Sequence, residues 1–357
     1  MRRAREPEDA GRVEALEPLI HARRYQEALD GALAALADEL EPRTRAVAHS
    51  LAGQALHHLR RDEEAVDHLR TAVGLADELD DLWLAAEAMD WQALASFASD
   101  GQQALELEED ALARYRRLGS RRPEVEARML EHLGTLFTRR RAYGRAQEAY
   151  EEALAVMGTV RDLQDMARIN HGMAGCLRAA GDVRRAIERM ERAVALYSIE
   201  SELRPDQSCV PLASAYNDLA MLLLERGEWD RAGELLTTAL GIFVQADLVL
   251  WQGYILHSLG DLRRRQGRLT EAFALTREAL ALAQRLDQPL LMAGCLQQMG
   301  ELHEDQGEPG LADEAFEQGI ALLEQTSLTD RLADFRRAYA VMLEARGATE
   351  AEAGAAG

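Results

Sequence analysis

The chain has 357 residues, long for one ordinary globular core, so its length points to two domains or one elongated repeat array. Only 5% of the residues are aromatic while Ala, Leu, Glu and Arg dominate, a set of strong helix formers that argues against a substantial sheet. The net charge of -21 argues against bulk adhesion to nucleic acid or anionic membrane, and all 41 basic residues are arginine, which excludes P-loop and Schiff-base lysines.

Residues 1–12 read as a charged N-terminal arm with no apolar run behind it, so not as a signal peptide. From residue 13 to 326 one pattern repeats about eight times. An alanine recurs at Ala28, Ala65, Ala104, Ala146, Ala186, Ala232, Ala272 and Ala312, in steps of 37 to 46 residues. Seven residues after each stands a second small residue: Ala35, Ala72, Ala111, Ala153, Ala193, Ala239, Ala279 and Gly319. That spacing is about two helical turns, so both lie on one face and let a neighbouring helix approach closely. Leu69, Tyr150, Met190, Leu236 and Phe316 are interleaved with them and fill the remaining space.

Twelve residues before the anchor alanine, a preceding helix carries its own small residue at Gly53, Gly134, Ala174, Ala220, Gly260 and Gly300. The first copy departs from this with Leu16 and has Pro18 where its first helix should run; the third departs with Gln92. Between the two helices stands turn chemistry, as in Ser99-Asp100-Gly101, Gly181-Asp182, Gly227-Glu228, Gly267-Arg268 and Gly307-Glu308, where glycine supplies the positive φ that ends a helix. Tyr197 to Pro211 reads as the longest loop. The apolar window from Leu236 to Gly260 is cut by the repeat register into two helices, which makes it core and not a membrane span. After the eighth copy, Leu332, Phe335, Tyr339, Met342 and Leu343 recur at helical spacing and predict a capping helix over 327–347, ending near Gly347, with a disordered tail over 348–357.

Recognisable reaction motifs are lacking: there is no GxSxG, HExxH or GxGxxG, and no Cys or His pair at zinc spacing. His57, His58 and His68 invite a metal reading, but adjacent histidines point to different faces of a helix, and a solvated helix pair is preferred. No metal or cofactor is expected. Cys176, Cys209 and Cys295 are far apart and read as reduced thiols of a cytoplasmic protein, and the arginine-only bias points to a GC-rich, bacterial genome.

The fourth copy, Leu133 to Met157, combines the Leu-Gly pair, a first-helix aromatic, a turn tyrosine and both small residues. It resembles the tetratricopeptide (TPR) repeat, as do the sixth and seventh copies, and the glycine-turn trio sets the pattern apart from HEAT and armadillo repeats. The period of about 40 residues is longer than the usual ~34 and is similar to that of bacterial signal-regulated transcription activators and kinesin light chains. The resemblance implies an all-α, right-handed superhelical solenoid of antiparallel helix pairs whose first helices line a concave groove.

Carried over by register, the groove residues expected to bind a ligand are Arg128, His132, Arg139, Arg168, His171, Arg178, Asn217, Tyr254, His257 and Arg264. Arginine favours carboxylate or phosphate, so the expected partner is a protein or peptide of acidic character; the other reading pairs these arginines with neighbouring carboxylates. The asparagine that family members use to grip a terminal carboxylate is absent at the matching positions, which points to an internal segment. A non-enzymatic interaction module is thus the leading reading. A peptide- or ligand-sensing regulator acting on a separate transcription regulator or enzyme is the alternative, ahead of an enzyme on a helical scaffold. Self-association is expected, if anywhere, at the N-terminal end near Pro18.

Overall fold

A computed structural model describes residues 6–21, 24–119, 121–160, 162–204, 209–326 and 328–355. All regular structure among the described residues is helical. The chain divides into two compact units, Met1–Leu196 and Tyr197–Gly357.

The first unit opens with α1 (Glu6–Glu14), α2 (Glu17–His21) and α3 (Tyr25–Leu36). Three hairpins follow: α4 (Pro42–His58) with α5 (Asp62–Glu78), α6 (Leu82–Ser96) with α7 (Gly101–Arg116), and α8 (Pro123–Arg139) with α9 (Tyr143–Met157). Next come α10 (Leu163–Ala179) and α11 (Val183–Leu203). The second unit contains α12 (Val210–Glu225) with α13 (Trp229–Gln245), α14 (Val249–Arg265) with α15 (Leu269–Arg285), and α16 (Pro289–Asp305) with α17 (Pro309–Glu324), closed by α18 (Thr329–Ala355). Within each unit the first helices of successive hairpins also touch one another, α4 to α6, α6 to α8 and α8 to α10 in one, α12 to α14 and α14 to α16 in the other. The first helices therefore form a layer of their own.

Small residues make this layering feasible. All sixteen small positions of the repeat's second helix are buried. A Cβ on Gly134 would meet the Tyr150 ring at 2.9 Å, and one on Gly300 would meet Phe316 at 2.6 Å, so glycine is what lets the large residue of the partner helix seat. Gly181, Gly227, Gly267 and Gly307 end their first helices at φ between 72° and 84°. The α4–α5 and α8–α9 hairpins place Arg60 (φ 64°) and Arg141 (φ 59°) in the same turn position. The apolar window is split at Asp247 (φ 53°), between α13 and α14, and no described helix is long and apolar enough to cross a membrane.

Four local expectations need correction. Gly101 has no turn role: it is the first residue of α7, and Asp100 caps that helix by accepting from the backbone N–H groups of Gln102 and Gln103, both at 3.0 Å. The segment read as an arm is helical from Glu6, and Pro18 sits in the first turn of the separate helix α2, where a missing N–H costs nothing. That break lets Val13, Leu16 and Ile20 be buried. The loop expected from Tyr197 is shorter, because α11 runs on to Leu203 through residues without Gly or Pro; residues 205–208 lie outside the described set. The helix expected to end near Gly347 continues to Ala355, since one exposed glycine costs a helix only about 1 kcal/mol and the residues beyond it are mostly Ala and Glu.

Candidate functional site

The ten expected site residues all lie on first helices, but they do different things. In the first unit, Arg128 and His132 stand one turn apart on α8 and both reach α6. His132 Nδ1 is 2.5 Å from Asp90 Oδ1, and Arg128 Nη2 lies 3.1 Å from Asp90 Oδ2 and 3.6 Å from a Glu87 oxygen. Trp91 is pressed against both, with the Arg128 guanidinium 5.5 Å from its ring centre and the His132 ring edge-on at 5.4 Å. Arg168 on α10 pairs with Glu131 and with Asp165 at 2.9 Å. Arg139 is exposed and lies 4.7 Å over Phe97; Arg178 is exposed and His171 half-buried on α10.

In the second unit, Arg264 faces Glu301 at 3.0 Å, Asp305 at 3.1 Å and Asp261 at 3.6 Å. His257 is half-buried beside Gly294, and burial lowers its basicity. Asn217 on α12 and Tyr254 on α14 come together and line one cavity.

The histidines that invite a metal reading diverge. His57 Nδ1 meets Asp62 at 2.7 Å, His58 stacks on Tyr25 at 4.3 Å, and His68 Nδ1 is 3.0 Å from His49 Nδ1.

Asp90, Glu108 and His132 form a group that the sequence reading passed over, with one candidate ligand atom from each within 4.8 Å of the others. Asp90 and Glu108 are both 0% exposed. Burial alone would raise Asp90, but the charges of His132 and Arg128 outweigh it and hold the carboxyl at about 2. Glu108 is pushed well above the usual range, first by burial and then by the Asp90 charge. Both Glu108 oxygens are buried without a hydrogen-bond donor among the described residues, which together with the neighbouring Asp90 charge favours the protonated, neutral form of this acid. With Arg128 supplying a cation 3.1 Å from Asp90, a shared proton meets the charge requirement of the pair without a dication.

One register position marks this site. Four residues after the anchor alanine the repeats carry Leu69, Tyr150, Met190, Leu236 and Phe316, with Ala32 in the first copy and a buried polar Thr276 in the seventh; in the third copy that core position is Glu108, the one charged residue among the eight. Glu108 binds its proton more tightly folded than unfolded, so its contribution is full below the unfolded carboxyl value and is lost as pH rises through the folded one. Glu108→Gln is therefore expected to be more stable than wild type, by a margin that widens from about pH 5 to about pH 8 in thermal melts. A constant or shrinking margin contradicts the neutral-acid assignment.

The cavity in the second unit holds about 350 Å³. Ser214, Asn217 and Asp218 of α12 form one wall, Trp251, Tyr254 and Ile255 of α14 another, and Phe243 of α13 closes it. Asn217 is oriented at both ends: its Oδ1 accepts from Ser258 Oγ at 2.8 Å and its Nδ2 donates to Asp218 at 3.3 Å.

A tetratricopeptide repeat model matches residues 211–285 and 251–325, the segment that contains these walls. No curated protein matches the chain. Among solved structures, the apo form of the quorum sensor NprR from B. thuringiensis is similar at 15% identity, over 87% of this chain and 86% of that one, with a TM-score of 0.67. Aspartyl phosphate phosphatase F from Bacillus subtilis is similar at 10% identity over 96% and 90%, with a TM-score of 0.61. A Rap protein complexed with Competence and Sporulation Factor is similar at 12% identity over 95% and 98%, with a TM-score of 0.60. At these identities the likeness speaks for the fold. The matched repeats mark residues 211–325 as tetratricopeptide repeats, and the buried small residues and glycine turns give the chain as a whole a tetratricopeptide-like helical-hairpin fold.

Proposed function

We propose that this chain is a non-enzymatic interaction module whose first-helix layer in the second unit receives a segment of a partner protein or peptide. The observation that carries this reading is the cavity between Asn217 and Tyr254, two residues that the repeat register assigns to the binding face. Its volume falls in the range of about 300–1,000 Å³ typical of ligand sites, and its walls stand on packed helices, which hold side chains more accurately than loops do. It combines an apolar, aromatic floor with a polar strip, the composition that both anchors and orients a bound side chain.

The arginines offer less to an acidic ligand than their number suggests. Arg128, Arg168 and Arg264 already answer carboxylates of the chain itself, so an acidic segment would have to displace them. Catalysis is disfavoured on the same physical grounds. Asp90 and Glu108 are sealed from any substrate, and burial raises the thiols of Cys176 and Cys295, the latter to about 12. A regulatory use of the face is favoured by the fold shared with the quorum sensor NprR and with a Rap protein complexed with Competence and Sporulation Factor.

The test is affinity capture from lysate of the source organism, comparing wild type with Asn217→Ala/Tyr254→Ala. Both residues are half-buried, so the variant should keep its helicity, verified by circular dichroism. The expected result is a partner retained by wild type and weakened by about tenfold or more in the variant, the loss typical of removing an interface anchor. Undiminished capture of the same partners by the folded variant places binding elsewhere.

A further inference from the structure

We infer that His49 and His68 form a binding site for one divalent first-row transition-metal ion, held between α4 and α5 through the two Nδ1 atoms. The hairpin sets His68 opposite His49, 19 residues earlier in the chain, with the Nδ1 atoms 3.0 Å apart and the ring planes at 42°. Two nitrogens each about 2.0–2.1 Å from one ion lie about 2.9–3.4 Å apart when they subtend a right to a tetrahedral angle there. The pair thus already has the spacing of two adjacent ligands. Packing of α4 against α5 fixes that spacing before any ion arrives.

A ligand nitrogen must offer a lone pair, so both rings must be neutral. Burial lowers the basicity of both, and that of His49 falls to about 4 with the added charges of His68 and Arg45. As a hydrogen-bonded pair, one Nδ1–H donates to the other Nδ1. On binding, that proton moves through solvent to Nε2 of the same ring, so two nitrogen–metal bonds form and no proton is released. Both rings are half-buried, which lets an ion reach them and water complete its shell. The Asp90–Glu108–His132 group, by contrast, is sealed and already has Arg128 as its cation. Glu64 and Asp67 bring negative charge to His68 from α5, against Arg45 on α4. Glu64 stands one turn before His68 and pairs at the surface with Arg61, a contact weak enough to be exchanged for the ion. Imidazole nitrogens completed by oxygen ligands suit Ni2+, Cu2+ or Zn2+ and not Mg2+ or Ca2+.

The experiment titrates Ni2+ alone into the purified, untagged full chain carrying 15N-labelled histidine. The paramagnetic ion should first broaden the ring signals of two of the nine histidines, the two that are missing from His49→Gln and His68→Gln. Each substitution should weaken binding at least about tenfold, since even the loss of an outer-shell partner costs a metal site about 10–100-fold. Ni2+ should raise the melting temperature of wild type saturably and leave both variants unmoved, and Mg2+ should do neither. A through-space cross-peak between the two rings identifies them in wild type even where a variant fails to fold. Broadening spread evenly over the nine rings, broadening centred on other histidines such as His57 or His132, or an affinity unchanged in both variants each overturns the inference and leaves the pair a hydrogen bond only.

Discussion

Arg128→Ala is expected to destabilise the first unit by about 3 kcal/mol, the lower end of the cost of breaking a buried ion pair, because His132 still faces Asp90. Asp90 is 0% exposed and Arg128 Nη2 lies 3.1 Å from its Oδ2. Removing the guanidinium strips both Asp90 and Glu87 of a counter-charge and empties the face of Trp91. The side chain cannot be replaced by water cheaply, because the site lies among packed helices. Arg139→Ala is the matched control: that residue is exposed and contributes a cation–π contact over Phe97, worth about 0.5–1 kcal/mol. Urea unfolding followed by circular dichroism measures both. A loss below about 1 kcal/mol for Arg128→Ala would show that the pair contributes little and would return Arg128 to the pool of ligand-binding candidates.

Phe335→Ala is expected to cost a similar amount, about 3–5 kcal/mol, but in the second unit. Phe335 is 0% exposed, seats over Gly319, and meets Phe316 edge-on at 5.5 Å. Tyr339 also stacks on Phe316, at 4.8 Å, and Arg346 ties α18 to Glu304 at 2.6 Å and to Asp313 at 3.1 Å. The helix thus covers an apolar face that the last hairpin cannot cover by itself. In a stacked array stability is a sum of neighbour terms, so the early unfolding should be confined to the C-terminal hairpins. Hydrogen exchange should show faster opening of α16 to α18 with α4 to α9 unchanged, and sedimentation velocity should show concentration-dependent association through the uncovered Phe316 and Leu323. Unchanged exchange in α16 to α18 would remove the capping role from Phe335.

Much of the fold was legible before any coordinates. Eight anchor alanines in phase, with a second small residue two turns on, dictate where one helix can press against another, and every one of them is buried. Boundaries were legible where a glycine or proline forced them, as at Gly181 and Gly227, and less so where the chain only permitted a change, as at Gly101 and Gly347. The cavity was half legible. Asn217 and Tyr254 follow from register, whereas Asp218, Trp251 and Phe243 join them only when α12, α13 and α14 are stacked.

The Asp90 cluster marks the other limit. Its one sequence signal is a glutamate, Glu108, at a position where the other copies carry Leu, Tyr, Met, Phe, Ala or Thr and none is charged. Composition and register thus settled helix, repeat and layer, because these depend on side-chain size at fixed spacing along one chain. Which charges neutralise each other was decided by the tertiary structure alone. His132 meets Asp90 across 42 residues, one repeat away, and Arg168 meets Glu131 across 37. An arginine that looks available to a ligand in the sequence is spent or free according to whether a carboxylate from the neighbouring hairpin arrives within about 4 Å in a region of low dielectric, and that distance is set by stacking.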